Sequence, residues 1–350
     1  MKYLFFLVLL GFGFIILSSS SPQNSDVIGQ GKQPQVSIDN KGIVRVVYGL
    51  DENIFCATSN NHGQTFSKPV LVAHITGMHL GMGRGPQLSS SANYSVITAM
   101  DKTGNIHWFK LDHTAQKWEA MGLINDQKGL APEGLMAISA DKENHFYAVW
   151  LDTRLGGSNQ IWFSSLSGNA KGWSANRLAY QSPDKHVCEC CKPSIAVSGS
   201  TVAIMFRNWL NGSRDLYVAK STNGGQTFSA AQKMGTDTWK LNGCPMDGGA
   251  LRIAPSNSIQ TVWQRKGDIY YAQAGKPEIY IAKGRYANIT GSTANAVVTY
   301  QNIDTLNMVS LPDKKATVIG IGSFLKVAQL TNKNEFFVWE QGNDIKFRTL

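Results

Sequence analysis

After the first two dozen residues, the apolar positions fall into short runs of Val, Ile, Tyr, Phe and Trp separated by turns rich in Gly, Asn and Asp, with almost no helical periodicity. The chain therefore reads as all-β. The runs recur in sets of four. PQVSID, IVRVVYG, NIFCATS and PVLVA begin at residue 34; PQLSSS, YSVITAM, NIHWFKLD and WEAMGLI begin at 86. Further sets begin near 135, 193, 249 and 286, and a seventh near 325 (LKVAQLT, EFFVWEQ, DIKFRTL) has only three strands. Four antiparallel strands in sets that begin 37 to 58 residues apart is the signature of a β-propeller. Residues 26 to 31, DVIGQG, are the expected source of the missing strand, which would close the ring and cover its edges. Residues 26–350 then form a single domain.

Two turns between third and fourth strands are nearly identical, SNNHGQTFS at 59 to 67 and STNGGQTFS at 221 to 229. At this place in a blade the pattern resembles the Asp-box of sialidase-like (BNR-repeat) propellers, with Asn61 and Asn223 standing where that family usually has Asp. Asn offers the same local turn hydrogen bonds. Looser copies occur at LDHTAQKW (111 to 118) and SGNAKGW (167 to 173). The resemblance implies a structural role for Ser59, Asn61, Gly63, Thr65 and Phe66, and for Ser221, Asn223, Gly225, Thr227 and Phe228. Strand count gives seven blades; six, as in sialidases, is the alternative, with one of the last two sets an irregular extension.

Composition of 43% hydrophobic and 16% charged residues suits a globular chain. Residues 1–22 place Lys2 before an apolar run (Tyr3 to Leu17) and then small polar residues, the layout of a signal peptide, so an extracytoplasmic protein is expected. An uncleaved signal acting as a tether is the alternative. The formal charge of +9 falls by one without Lys2 and still favours anionic partners, an anionic glycan in particular. No nucleic-acid-binding motif is present, and the expected state is a monomer.

Strand order assigns each loop to a face. With strands lettered A to D from the axis outward, the Asp-box-like turns mark one face, and the D-to-A and B-to-C loops build the other. Those second-face loops hold Arg84, Arg154, Arg207, Arg214 and Arg265. Resemblance to sialidases implies three arginines on a substrate carboxylate, a Tyr nucleophile assisted by Glu, and an Asp acid, since planar forks suit a carboxylate and cleavage needs a proton donor. The family's R-I-P element is missing, and Arg84 in GRGP is a loose substitute. Asp152 beside Arg154 is either a catalytic acid or half of a turn salt bridge. Arg207 with Trp209 is either a sugar anchor with a stacking ring or an arginine packed along a blade seam. Arg214 either binds substrate or pairs with Asp215. Asp247 and Glu133 are alternative acids, and Tyr270, Tyr271, Tyr280 and Tyr286 are candidate nucleophiles that strand alternation cannot rank.

The sharpest local feature is HVCECCKPS, residues 186 to 194, which holds three of the chain's five cysteines. Cys188, Cys190 and Cys191 enter blade 4, and Cys244 occupies the equivalent loop of blade 5. A disulfide from Cys244 to one of the three would staple neighbouring blades, worth about 4 kcal/mol by chain entropy. Alternatively, the four cysteines with His186 and Met246 form a soft set for zinc or copper(I), or a reactive thiol site. No other cofactor is expected. Cys56, in a third strand, reads as a buried free thiol. C-x-C-C-x-P, then F-R, R-D-L-Y-V-A and W-x-x-N-G-C-P-x-x-G, looks like a secreted bacterial branch of sialidase-like proteins. Three functions follow: an acidic-glycan hydrolase, a non-catalytic glycan- or protein-binding propeller, or a metal or thiol protein.

Overall fold

A computed structural model describes residues 26–291 and 295–350; the expected signal peptide lies outside them. The strands form seven four-stranded antiparallel sheets, the blades of a seven-bladed β-propeller. The inner strands are Lys32–Ile38, Gln87–Ser90, Met136–Ala140, Ser194–Ser198, Ala250–Ile253, Arg285–Thr290 and Ser323–Gln329. The seventh blade takes its outermost strand from the other end of the chain, Asp26–Gln30, which pairs antiparallel with Asp344–Thr349. This pairing covers the edge that the last three strands would otherwise leave open.

Burial follows strand position. Second strands are covered on both faces, as in Val44–Leu50 and His145–Asp152, and so read as continuous apolar runs. Outer strands such as Val70–His74 and Ile279–Lys283 stay largely open to solvent. The apolar side chains gather not into one central core but into seven separate clusters, each at the seam between two adjacent blades. Stability therefore depends on blade-to-blade contact.

The two repeated turns show how a seam is fastened. Ser59 Oγ bonds Asn61 Oδ1 (2.8 Å) and accepts from the Gly63 N–H (3.0 Å), while Asn61 Oδ1 accepts from Thr65 N–H (3.0 Å). Ser221, Asn223, Gly225 and Thr227 repeat these bonds at 2.8, 2.9 and 3.0 Å. Asn thus completes the turn from its side chain, and its amide also donates to the threonine hydroxyl. Gly63 and Gly225 have positive φ, and a side chain on either would run into an aromatic ring of the preceding blade, Phe336 or Phe163.

Each turn then sends an aromatic residue onto that same blade. Phe66 packs on Phe336 and Phe347 of blade 7, and Phe228 packs on Phe163 of blade 3. In the two looser copies, Trp118 joins the seam of blades 1 and 2, and Trp173 meets Trp108 of blade 2. Because Phe66 and Phe228 are partly buried, Phe66→Ala and Phe228→Ala are each expected to cost on the order of 2 to 3 kcal/mol, below the loss for a fully buried ring. Urea unfolding of the single and double variants checks this, and the losses should add because the seams are far apart in the ring.

Candidate functional site

On the face opposite these turns, loops and inner-strand starts enclose a cavity of about 70 Å³. Its lining comes from six successive blades, from Met82 and Leu135 through Lys192, Met246 and Asp247 to Tyr286, Asn288, Phe324 and Lys326, which places it at the mouth of the ring. In blades 6 and 7 the inner strand carries a bulge, and Tyr286 and Phe324 occupy it in left-handed backbone conformation (φ 54° for both). Bulges re-aim side chains, and here they turn two aromatic rings toward the mouth, 4.9 Å apart. Met82 and Met246, also on the lining, have φ of 53° and 51°. Such backbone strain persists only where the surroundings enforce it, and it gathers at functional sites. Gly248 holds the floor together: a Cβ there would collide with the Lys192 carbonyl oxygen.

Two lysines give the cavity its charge. Lys192 Nζ donates to Gln87 Oε1 at 2.5 Å, and Lys326 Nζ lies 3.4 Å from Asn288 Oδ1. Both partners are neutral amides. The residues are half-buried as a whole, but their amine ends are enclosed. Burial brings Lys326 down to about 8, partly offset by Asp247; burial and the Lys326 charge push Lys192 well below the usual lysine range. The Asp247 carboxylate is taken up by backbone, accepting from Gly249 N–H (3.2 Å) and Tyr286 N–H (2.8 Å). The mouth therefore offers two enclosed amines beside two rings, and among the described residues its one lining carboxylate is already engaged.

None of the five second-face arginines lines this cavity. Arg84 donates to the Glu133 carbonyl at 2.5 Å and faces the Glu133 carboxylate at 3.6 Å. Arg154 pairs with Asp152 and Asp126 at 2.7 Å each and lies over the Trp162 ring. Arg207 is buried and gives its fork to three backbone carbonyls, those of Asp247 (2.9 Å), Arg214 (2.7 Å) and Gln264 (2.9 Å). Arg265 pairs with Glu278 and with Asp237. The expected clamp of three convergent guanidinium groups is thus replaced by arginines that serve the scaffold.

The expected acids and nucleophiles are similarly committed. Asp152 is fully buried, accepting from Arg154 and from Trp150 Nε1 (3.0 Å), so it is the salt-bridge half rather than a free acid. Of the tyrosines, Tyr271 is in the core of blades 5 and 6, and Tyr270 stacks on Trp263 and Arg265. Tyr280 lies against Tyr270 on an outer strand. Only Tyr286 reaches the mouth. Its hydroxyl accepts from Arg285 (2.6 Å), a donor and not a carboxylate that could take its proton, and burial raises its pKa, so it stays protonated at neutral pH.

At the rim, Cys190 and Cys244 form a disulfide joining the loops that enter blades 4 and 5. Cys188 and Cys191 remain free and buried, their sulfurs 3.0 Å apart. Arg214 Nη1 donates to Cys188 Sγ at 2.9 Å, while its guanidinium covers the Trp209 ring and faces Glu189 at 3.6 Å. Trp209 in turn stacks on His186, which pairs with Glu189 at 2.9 Å. Arg214 and Trp209 are thereby committed to the cysteine loop, not to a sugar pocket. Cys56 is free and buried, its pKa pushed up to about 12 by burial. The sulfurs of Cys188, Cys190 and Cys191 fall within 4.8 Å of one another, close enough for one ion. With Cys190 in the disulfide only two thiols remain, and among the described residues no His, Asp or Glu completes that group, so the oxidised loop does not fit a four-ligand zinc site.

Comparison with solved structures places this architecture among known propellers. An ulvan lyase, described as a new family of polysaccharide lyase and bound to -[GlcA(1-4)Rha3S]-, superposes with a TM-score of 0.56 over 93% of this chain and 95% of its own, at 10% identity. The propeller domain of the Trilobed protease from Pyrococcus furiosus gives 0.54, covering 93% and 94% at 8% identity. A fucose-recognising lectin from Aleuria aurantia, a six-bladed propeller, gives 0.53 over 83% and 96% at 11% identity. These likenesses establish the fold. No family model matches the chain, and no curated protein matches it.

Proposed function

We propose that this protein is an exported propeller that binds an acidic saccharide, holding a carboxylate or sulfate group at the channel mouth. The observation that carries the proposal is the pair Lys192 and Lys326, two enclosed amines on the axis with neutral amide partners and no free carboxylate between them. Burying such groups costs stability unless a counter-charge arrives, and a ligand oxyanion supplies it through charge-assisted hydrogen bonds. Tyr286 and Phe324 supply apolar ring surface beside that charge. Support also comes from the neighbours, one bound to -[GlcA(1-4)Rha3S]- and another recognising fucose. The commitment of Asp152, Asp247 and the arginines to internal partners favours binding over hydrolysis. An exported location suits the Cys190–Cys244 disulfide and the signal-like first residues.

Calorimetric titration with uronate-bearing, sulfated and neutral oligosaccharides tests this reading. Saturable binding of the acidic compounds alone is expected. Because the anion needs a protonated amine, affinity should be highest below about pH 8, the Lys326 value, and should fall as pH rises through it. Equal binding of neutral sugars, absence of binding by every acidic compound, or affinity rising with pH would each reject the proposal.

A further inference from the structure

The cysteine loop has a layered arrangement that saccharide binding does not use. Cys188 and Cys191 are buried, Cys190 is half-buried on the wall of the mouth, and Cys244 is exposed at the rim. Cys188 Sγ stands 3.0 Å from Cys191 Sγ and 3.7 Å from Cys190 Sγ, so a single sulfur touches both the inner thiol and the outer disulfide. Cys188 and Cys191 also have the C-x-x-C spacing that permits a local disulfide. The loop is held at both ends of this set: the Cys188 N–H donates to the Arg207 carbonyl (3.0 Å), and the Cys191 N–H approaches the Cys188 carbonyl (3.5 Å).

We propose that Cys188 and Cys191 are a buried dithiol that exchanges with the exposed Cys190–Cys244 disulfide, giving the rim a dithiol able to reduce disulfides of solvent-borne molecules. The Cys188 thiolate attacks Cys190 Sγ; the 188–190 bond forms, the 190–244 bond breaks, and the electron pair leaves on Cys244, which takes a proton from water. Cys191 then loses its proton to solvent and attacks Cys188 Sγ. The 188–191 bond forms, and Cys190 leaves as a thiolate that is protonated in turn. The net change moves the disulfide inward and two thiol hydrogens outward, consuming no oxidant or reductant. The rim dithiol can then reduce an external disulfide, leaving both internal pairs oxidised.

The surroundings favour the first step. A hydrogen bond from the Cys191 thiol and the adjacent Arg214 and Arg207 charges outweigh burial and bring Cys188 down to about 7, which leaves much of it as thiolate at neutral pH. Cys191 is driven the other way by burial and by the neighbouring Cys188 charge, so it serves as donor until Cys188 has reacted. Glu189 faces Arg214 and pairs with His186, and Asp184, Lys185 and Lys192 are the remaining ionisable side chains of the loop.

Alkylation of the folded, unreduced protein with iodoacetamide, followed by peptide mapping without reductant, tests the exchange. Cys190 and Cys244 should become labelled with time while a Cys188–Cys191 disulfide accumulates. Cys188→Ser should prevent both changes. Cys191→Ser should halt the sequence at a Cys188–Cys190 bond with Cys244 alone labelled, which keeps the test available if the first variant folds poorly. Arg214→Met should slow labelling about threefold for each unit by which the Cys188 pKa rises, because the loss of thiolate is partly offset by its greater nucleophilicity. Oxidised glutathione as a probe should release glutathione from the wild type and leave two intramolecular disulfides. Persistence of the Cys190–Cys244 bond with Cys244 unlabelled, labelling of Cys188 while that bond stays intact, or unchanged labelling in Cys188→Ser would overturn the proposal.

Discussion

The double variant Lys192→Met, Lys326→Met should lose affinity for acidic saccharides by roughly 100-fold or more while melting no lower than the wild type. The first half follows from removing charge-assisted hydrogen bonds, each worth about 1.5–3 kcal/mol, at which two bonds amount to at least a hundredfold in dissociation constant. The second half follows from the direction of the lysine shifts. Each amine is harder to protonate in the folded protein than in the unfolded chain, so at neutral pH the unfolded state binds its protons more tightly and folding bears a cost. That cost is present below the folded values and disappears as pH rises from about 8, the Lys326 value, toward the ordinary lysine range. Wild-type stability should accordingly gain from this pair across that interval, and the double variant should not. Melting curves at neutral and alkaline pH, run beside calorimetric titration, separate the two effects. A variant that loses both stability and binding would show that the lysines support the mouth structurally.

How much of this was legible in the sequence depends on whether a feature repeats. The strand sets and the S-x-N-x-G-x-T-F turns recur, so both the blade count and the face bearing the loops could be read from runs such as IVRVVYG and TVAIMFRN. Lys326 and Asn288 are legible by the same device. Each stands second in an inner-strand run, LKV and ANI, in the column occupied by Gln35 and Gln87 in the two PQ runs. The arginines misled for a physical reason: residue type and loop location suggested a carboxylate clamp, but a guanidinium can equally satisfy carbonyls where loops cross. Arg207 faces three of them, brought together only by the fold. The cysteine pairing was partly readable, because blade order brings Cys244 to the 188–191 loop. Selecting Cys190 from the three required knowing which side chain points outward.

Arg207 gives the opposite expected result to the lysines. Arg207→Leu should destabilise the fold by about 3 to 5 kcal/mol, because it strands buried carbonyls of Asp247, Arg214 and Gln264 that the guanidinium now satisfies. These carbonyls belong to the loop entering blade 5, a loop of blade 4 and the second strand of blade 5, so one side chain ties the two blades on the functional face. Its own carbonyl accepts from Cys188 N–H, which extends the effect to the cysteine loop. Arg207→Lys keeps the charge but not the planar fork and should fall between the two. Urea denaturation gives the stability change, and titration with an acidic saccharide under strongly native conditions gives the binding of the folded fraction. A structural Arg207 loses the first and largely keeps the second. Full stability with lost binding would instead place the guanidinium in the ligand site and reverse the assignment made from its hydrogen bonds.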